Sequence, residues 1–179
     1  MERSDMVISG FGGQGVLFVG YLLAYAGMLE GNYICWIPSY GVEMRGGTAH
    51  CFVIIADKEV SSPIFERPSA VMVFNNPSLE KFETAVIPGG HLFINSSLVD
   101  VEPKRTDLIV HKIPASDFAN ELGNSKVANI ILLGALIQAT EVVLIDNIYL
   151  ALQEILSEKK KKMLPLNYEA LKCGMSSLV

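Results

Sequence analysis

The sequence is poor in the residues that hold metal clusters. Its three cysteines, Cys35, Cys51 and Cys173, lie far apart in 179 residues, and no CxxC spacing occurs. A cluster or zinc site held within one chain needs about four ligands, usually with close spacing between some of them. The odd, scattered set excludes a self-contained iron–sulfur or zinc site and predicts free thiols in a reducing compartment.

Charge is also scarce. Only 18% of the residues are charged, half are apolar, and the formal net charge is -5. An acidic balance argues against nucleic-acid binding, which normally needs a basic face. No uninterrupted apolar run reaches the roughly twenty residues of a membrane span, and the N-terminus lacks a signal-peptide core. We therefore expect a cytoplasmic protein without a membrane span, whose apolar excess is covered by partner subunits.

The familiar catalytic motifs are missing as well. The chain contains no HExxH, no GxSxG and no carboxylate pair suited to acid–base catalysis. Its three histidines, His50, His91 and His111, are scattered. His50 and His111 lie in strand-like segments, where we expect a structural role. The sequence predicts a domain that holds a ligand without itself carrying out the chemistry.

Strand-like and helix-like segments alternate along the chain. This alternation is typical of α/β proteins with a largely parallel sheet between helix layers. The second and third strand-like segments are joined by about ten residues without a helix, so they can pair antiparallel. We predict a three-layer α/β/α single domain over residues 1–179, with a sheet that is mostly parallel or mixed. The strand patterns cover 6–9, 33–37, 48–56, 71–75, 91–95 and 108–113, and the helix patterns 16–30, 77–85, 116–123, 126–140, 146–157 and 167–174.

The helix pattern at 126–140 is apolar on almost every side. A helix of that kind is buried on several sides, either in the core of its own domain or against another subunit. Ser125 is its predicted N-cap, and Asp146 or Asn147 is the predicted cap of the next helix.

A glycine run follows the first strand-like segment and precedes a long apolar helix pattern. Gly10, Gly12, Gly13, Gln14 and Gly15 belong to the sequence GFGGQG at 10–15. A phosphate can approach the N–H groups of the first helical turn there, and the helix dipole favours negative charge. The spacing matches GxGxxG, but no acid ends the second strand as in a Rossmann site, and no Lys-Ser or Lys-Thr follows as in a P-loop. The alternative is a turn that only joins strand to helix.

A second polar segment, punctuated by glycines, follows the second strand-like segment. Ligands of open α/β sheets bind outside the carboxyl ends of the strands, so this segment and the glycine run should meet at one edge. Arg45 is the predicted phosphate ligand, Glu43 can orient it or contact a ligand amine, and Tyr40 can stack on a ring. A simple ion pair between Glu43 and Arg45 is the alternative. The candidate binding residues are Ser39, Tyr40, Gly41, Glu43, Arg45, Gly46 and Gly47.

Three motifs in this order, GFGGQG at 10–15, PSYGVEMRGGTAHC at 38–51 and SSPI at 61–64, resemble the gamma subunit of the 2-oxoacid:ferredoxin oxidoreductases. The resemblance extends through NNPSL at 75–79 and NSS at 95–97 to Asn129 and Gly134. It implies an enzyme that converts a 2-oxoacid, coenzyme A and oxidised ferredoxin to acyl-CoA, carbon dioxide and reduced ferredoxin. Within the family, SYGxEMRGG resembles the 2-oxoglutarate or branched-chain type more than the pyruvate type.

The resemblance also implies how the cofactors are distributed. This chain is expected to help bind coenzyme A through the glycine run and Arg45, and to border the thiamine diphosphate site of its partners. Thiamine diphosphate, magnesium and iron–sulfur clusters are expected only on a thiamine-diphosphate-binding subunit and a ferredoxin-like subunit, so the chain is inactive alone and meets ferredoxin through the complex. The alternatives are an indolepyruvate oxidoreductase beta-type subunit, a stand-alone nucleotide- or flavin-binding module, and a purely structural subunit.

Overall fold

The computed structural model describes residues 3–40 and 48–178. Within these ranges, the 3-10 turn Glu83–Ala85 extends the second helix, and the 3-10 turn Ser125–Val127 precedes the fourth. The helices and strands follow in the order β1 (Arg3–Phe11), α1 (Val16–Leu29), β2 (Tyr33–Tyr40), β3 (Thr48–Ala56), β4 (Ala70–Val73), α2 (Asn76–Phe82), β5 (His91–Asn95), β6 (Ile109–Ile113), α3 (Ala115–Glu121), α4 (Ala128–Thr140), α5 (Ile145–Ile155), α6 (Glu158–Lys161) and α7 (Leu164–Ser176).

The six strands form one mixed sheet in the order β2-β3-β1-β4-β5-β6. Pairing is parallel from β1 through β4 and β5 to β6, whereas β3 is antiparallel to both of its neighbours. The connection from β2 to β3 is too short for a crossover helix, which explains the antiparallel pair. The predicted α/β fold with a mixed, mostly parallel sheet is confirmed.

The order of the strands fixes where the chain reverses its direction of winding. From β1 the chain passes through α1 to β2 on one side of the sheet, and from β4 it passes through α2 to β5 on the other. The crevice between the carboxyl ends of β1 and β4 is therefore a topological switch point, where open α/β sheets bind ligands.

The two faces of the sheet carry separate apolar cores. The larger core joins β1, β3, β4 and β5 to α1, α3, α4, α5 and α7. The smaller one lies under α2 and includes Val7, Val71, Leu79 and Leu92. α4 belongs to the larger core and is buried from Asn129 through Ile137 within the chain itself. Burial in its own domain, rather than against another subunit, accounts for its uniformly apolar sequence.

Helix ends are where the structure departs most from the sequence pattern. Asn124, not Ser125, caps the turn before α4, because its side chain accepts a hydrogen bond from the Lys126 N–H at 3.0 Å. α7 begins at Leu164, three residues before the predicted start, and carries Pro165 in its first turn, where proline is well tolerated. No helix within the described residues is both long enough and apolar enough to cross a membrane.

α5 begins at Ile145 without a side-chain cap of its own, so neither Asp146 nor Asn147 is its N-cap. Glu30, at the end of α1, supplies the acceptor instead. Its Oε1 accepts hydrogen bonds from the Leu144 N–H at 2.5 Å and from Asn147 Nδ2 at 3.0 Å. Glu30, which precedes β2 in the sequence, thus joins α1 to the start of α5.

Candidate functional site

The glycine run lies between the end of β1 and the first turn of α1, at the switch point. Gly13 and Gly15 have φ angles of 96° and 76°, a left-handed conformation that strains any residue with a Cβ. At Gly15 an added Cβ would also lie 2.2 Å from Asn129 Nδ2. Asn129 Nδ2 donates to the Gly15 carbonyl at 3.2 Å, so α4 supports the loop from behind.

The start of α1 is suited to an anion. Gly15 is its N-cap and provides no side-chain hydrogen bond, and the first turn holds no acidic residue. The N–H groups of a first helical turn have no acceptor inside the helix, and the dipole places partial positive charge there. This helix end therefore offers the donors that a phosphate would need, and phosphate binding by the glycine run stays a prediction.

Gln14 stabilises the loop rather than pointing away from it. Its Oε1 accepts from the Phe11 N–H at 2.6 Å, and its Nε2 donates to the Phe74 carbonyl at 3.1 Å. Phe74 directly follows β4, so this side chain connects the two strands that border the crevice. A Cβ at Gly10 would lie 2.5 Å from Gln14 Oε1, which explains the glycine at that position.

The second predicted segment is described only at its two ends. Ser39 pairs with His50 and Tyr40 with Ala49 in the β2–β3 ladder, and Thr48 lies opposite Phe11 of β1. Both ends are therefore at the edge of the sheet that carries the glycine run, as the sequence predicted. The other predicted ligands, Gly41, Glu43, Arg45, Gly46 and Gly47, lie outside the described residues.

Two cavities flank the glycine run and share Gly13 as a lining residue. The first has a volume of about 270 Å³ and lies over the start of α1. Its lining is almost entirely apolar, with side chains from Phe11, Val16, Leu17, Phe18 and Ala49 and the remainder from Gly12, Gly13 and Gly15.

The second cavity, which we call the α3–α4 groove, has a volume of about 360 Å³ and lies beyond Gly13 toward β5. Its wall is hydrogen-bonded internally: Asn95 Nδ2 donates to Ser116 Oγ at 2.9 Å, and Asn95 Oδ1 accepts from the Ser116 N–H at 3.3 Å. The lining residues are Gly13, Gln14, Phe74, Asn95, Leu98, Ser116, Asn120, Ser125, Lys126, Ala128 and Asn129.

The sequence did not identify the α3–α4 groove. Asn95 is the last residue of β5 and Ser116 the second residue of α3, so both occur at element ends, where ligand-binding residues are common. Asn120 and Lys126 reach the same groove only because α3 and α4 pack beside the carboxyl end of β5. That packing depends on the strand order, which no local pattern specifies.

The three histidines are half-buried in strands of the sheet. His91 Nδ1 and His111 Nε2 are 3.0 Å apart, with ring planes within 4° and centroids 5.3 Å apart, the geometry of an in-line hydrogen bond. Burial lowers the pKa of both imidazoles. Burial and the charge of Lys81 likewise lower the pKa of His50, whose buried Nδ1 has no hydrogen-bond partner among the residues that the structure describes. The structural role predicted for His111 agrees with its contacts.

The cysteines are free thiols, as predicted. Burial raises the pKa of the Cys51 thiol to about 12, so it stays protonated at neutral pH. Across the ranges 3–40 and 48–178, no three His, Cys, Asp or Glu residues lie close enough together to hold a metal ion.

Comparison with known proteins points to one family. A family model described as pyruvate ferredoxin/flavodoxin oxidoreductase matches residues 5–177. The chain is 34% identical over 149 residues to the 2-oxoglutarate synthase subunit KorC of Methanothermobacter marburgensis, covering 79% of this chain and 80% of KorC. It is 35% identical over 167 residues to the ketoisovalerate oxidoreductase subunit VorA of the same organism, covering 93% of this chain and 35% of VorA. The chain thus spans about a third of the length of that relative.

A solved structure gives the same picture. The gamma subunit of the keto/oxoacid ferredoxin oxidoreductase from Geobacter sulfurreducens is 27% identical to this chain and superposes with a TM-score of 0.83. The match covers 97% of both chains. The match therefore extends over almost the whole of that gamma subunit, including its sheet and helices.

Proposed function

This chain belongs to the pyruvate ferredoxin/flavodoxin oxidoreductase family, and from that premise we propose that it is the gamma-type subunit of a multisubunit 2-oxoacid:ferredoxin oxidoreductase. The complex converts a 2-oxoacid, coenzyme A and oxidised ferredoxin to acyl-CoA, carbon dioxide and reduced ferredoxin. The whole of residues 1–179 forms the gamma module, and it works in the cytoplasm with a thiamine-diphosphate-binding subunit and a ferredoxin-like subunit.

The role of this chain in the complex is to bind coenzyme A. The observation that carries this proposal is the uncapped start of α1, which follows the glycine run at the switch point and lies beside a cavity of about 270 Å³. Coenzyme A contains a pyrophosphate, and the N–H groups of a first helical turn after a glycine loop are a recurrent site for such a group. Tyr40 and Thr48, which flank the segment 41–47, lie at this edge of the sheet, and the family resemblance supports Arg45 as a further phosphate ligand.

The chemistry of electron transfer and decarboxylation belongs to the partners in this proposal. Thiamine diphosphate, magnesium and the iron–sulfur clusters are assigned to them on the family resemblance, and this chain borders the thiamine site. The residues of this chain hold coenzyme A so that its thiol can reach the acyl group formed there.

The substrate proposed is 2-oxoglutarate, on the resemblance of SYGxEMRGG at 39–47 to the 2-oxoglutarate type. Relatives at about the same identity are named for 2-oxoglutarate and for ketoisovalerate, so the choice requires a direct measurement.

The test is dye reduction by the complex purified with its partner subunits. The assay compares 2-oxoglutarate, 2-oxoisovalerate, pyruvate and indolepyruvate, each with and without coenzyme A. We expect reduction that depends on both substrates, with the highest kcat/KM for 2-oxoglutarate, and no activity from this chain alone. Reduction that does not require coenzyme A would contradict the proposed role, and a preference for indolepyruvate would favour the beta-type subunit of that enzyme.

A further inference from the structure

The first helix carries no charged residue. None of the fourteen residues from Val16 to Leu29 is Asp, Glu, Lys or Arg. A helix that is apolar on every side is normally buried all round, as α4 is in this chain. α1 is not, because Tyr21 is 41% exposed and Met28 is 50% exposed. The outward side of α1 therefore lacks the charged residues that a helix facing water usually carries.

The outward side of α1 forms a continuous stripe, which we call the α1 seam and define by Phe18, Tyr21, Tyr25 and Met28. Successive members are three, four and three residues apart, the spacing with which one helix packs along another. The ring centroids of Tyr21 and Tyr25 are 6.0 Å apart, and the ring of Trp36 on β2 lies edge-on to Tyr21 at 5.4 Å. Tyr, Trp and Met are enriched in protein–protein interfaces. The α1 seam thus has both the spacing and the composition of a surface that binds a helix of another chain.

α5 adds to this surface. Tyr25 Oη donates a hydrogen bond to Glu154 Oε2 at 2.8 Å, which joins the α1 seam to α5. Leu150 lies one turn before Glu154 on the same face of α5 and is 48% exposed. A helix packed along the α1 seam would therefore contact α5 as well.

The size of this surface separates a second copy of this chain from a different partner. Tyr21, Met28 and Leu150 are each about half exposed, and a large side chain presents about 150–250 Å², so together they leave roughly 200–400 Å² uncovered. Two copies that paired through this surface would bury about 400–800 Å² in total, less than the roughly 1,200 Å² of a stable specific interface. The occupant must therefore make further contacts outside the α1 seam, which favours a different and larger subunit.

The α1 seam leads to the start of α1. Phe18, its first member, also lines the cavity of about 270 Å³ beside the glycine run. In the proposed reaction, the thiol of coenzyme A must reach an acyl group held on the thiamine-diphosphate-binding subunit. That subunit must therefore approach the end of α1 at which the seam begins, whereas the ferredoxin-like subunit need not.

From these contacts we propose that the α1 seam, with Trp36 and Leu150 beside it, is the docking surface for the thiamine-diphosphate-binding subunit, which packs an apolar helix along it. The inference rests on the proposed function of the chain as a gamma-type subunit, and it identifies the surface through which this chain meets that partner. Docking there holds the start of α1 against the subunit that carries the acyl group. Tyr21 is the central contact, because its ring touches Tyr25 and Trp36 and is still 41% exposed.

The first test measures the affinity of this chain for the separately purified thiamine-diphosphate-binding subunit. Tyr21→Glu places a charge in the middle of the α1 seam, and we expect it to raise the Kd by at least about tenfold, as loss of a central aromatic contact does in other interfaces. Tyr21→Phe keeps the ring and should retain most of the affinity. An unchanged Kd for Tyr21→Glu would overturn the proposal.

Tyr33→Glu is the matched control. Tyr33 is 51% exposed on β2, and side chains alternate along a strand, so it lies on the face of the sheet opposite to Trp36 and away from α1. We expect Tyr33→Glu to leave the Kd unchanged. A loss of affinity equal to that of Tyr21→Glu would show that added charge, rather than the α1 seam, accounts for the effect.

A second measurement identifies the occupant in the assembled complex. With the photoreactive residue p-benzoylphenylalanine in place of Met28, irradiation should cross-link this chain to the thiamine-diphosphate-binding subunit, and the same residue in place of Tyr33 should give no such product. Cross-links from position 28 only to the ferredoxin-like subunit, or to a second copy of this chain, would overturn the assignment. If the wild-type complex shows no coenzyme A-dependent oxidation of a 2-oxoacid, the proposed function itself fails, so the two failures are distinguishable.

Discussion

Gly12 and Gly15 are glycines in one loop for different physical reasons. Gly15 has a left-handed backbone and lies against Asn129, so the fold itself requires it. Gly12 does not have a positive φ, and a Cβ there would touch nothing within 4 Å. Nothing within the described residues therefore demands glycine at position 12, and the open space above it suits a ligand.

This difference predicts opposite results for two alanine substitutions. Gly15→Ala should lower the free energy of unfolding by at least about 1–2 kcal/mol, the cost of a left-handed non-glycine residue. Gly12→Ala should leave the free energy of unfolding unchanged or raise it by up to about 1 kcal/mol, because alanine restricts the unfolded chain.

The same Gly12→Ala change should raise the KM for coenzyme A in the complex by roughly tenfold if a phosphate passes over the loop. Urea unfolding and steady-state kinetics measure the two effects separately, and equal destabilisation by both changes would contradict this account.

Arg45 is the predicted phosphate ligand in the segment 41–47. Loss of one charge-assisted hydrogen bond costs about 1.5–3 kcal/mol, so Arg45→Ala should raise the KM for coenzyme A by about tenfold or more. The KM for the 2-oxoacid should change less, since partner subunits are expected to recognise its carboxylates.

Glu43→Gln distinguishes this role from a simple ion pair. If Arg45 only stabilises the segment through Glu43, then Glu43→Gln should be equally harmful, and assembly of the complex should decline with activity. An Arg45→Ala complex that assembles normally and keeps its coenzyme A dependence would remove Arg45 from the binding site.

At the scale of whole elements, α4 and α7 are in backbone contact. A Cβ at Gly174 would lie 1.8 Å from the Ile131 carbonyl oxygen, and one at Gly134 would lie 2.2 Å from the Leu171 carbonyl oxygen. Each glycine thus allows the other helix to approach closely. A methyl group at either position can be accommodated only if the two helices move apart.

Gly174→Ala should therefore destabilise the chain despite the higher helix propensity of alanine. The propensity gain is about 1 kcal/mol, whereas overpacking against rigid backbone costs about 1–3 kcal/mol or more. Gly27→Ala is the control, because the atom nearest to its Cβ is the end of the Ile34 side chain, which can move. Chemical unfolding monitored by circular dichroism should show a lower midpoint for Gly174→Ala than for Gly27→Ala. A higher midpoint for Gly174→Ala than for the wild type would show that the helices separate at little cost.

Local patterns predicted the elements better than their contacts. The antiparallel pairing of β2 with β3 followed from a connection too short for a helix, and the turn between β1 and α1 followed from glycine spacing. The Glu30 contact with the start of α5 spans 114 residues, and no signal in the sequence near either end indicates it. The same limit applies to the α3–α4 groove, since Asn95 and Lys126 meet only once β5, α3 and α4 have packed together.

At the scale of the whole molecule, the two edges of the sheet differ. β6 is a short edge strand of five residues, in which Lys112 forms an ion pair with Glu102. β2 is eight residues long, contains no charged residue and exposes half of Tyr33. Short, charged edges resist pairing with other chains, and long apolar ones favour it. β2 is thus the edge strand more open to pairing with another chain, and the expected contact with partner subunits remains a prediction.

The pH dependence of stability should be set largely by histidines between about pH 5 and 7. Burial lowers the pKa of His50, His91 and His111 from an ordinary value of 6.5, so the folded chain disfavours their charged forms. The unfolded chain then binds more protons than the folded chain between the lowered pKa values and 6.5, and stability must fall as the pH falls through this interval. The Arg105 guanidinium lowers the pKa of Asp107, and the stabilisation that this ion pair contributes is lost only at more acidic pH, below the ordinary pKa of 3.8.

Chemical unfolding at a series of pH values should show a free energy of unfolding that begins to decrease near pH 6.5. Replacing both His91 and His111 by glutamine should make that decrease shallower. A free energy of unfolding that stays constant from about pH 7 to 5 would mean that the imidazoles titrate alike in both states, so that the half-buried hydrogen bond between His91 and His111 adds nothing to the pH dependence of stability in this range.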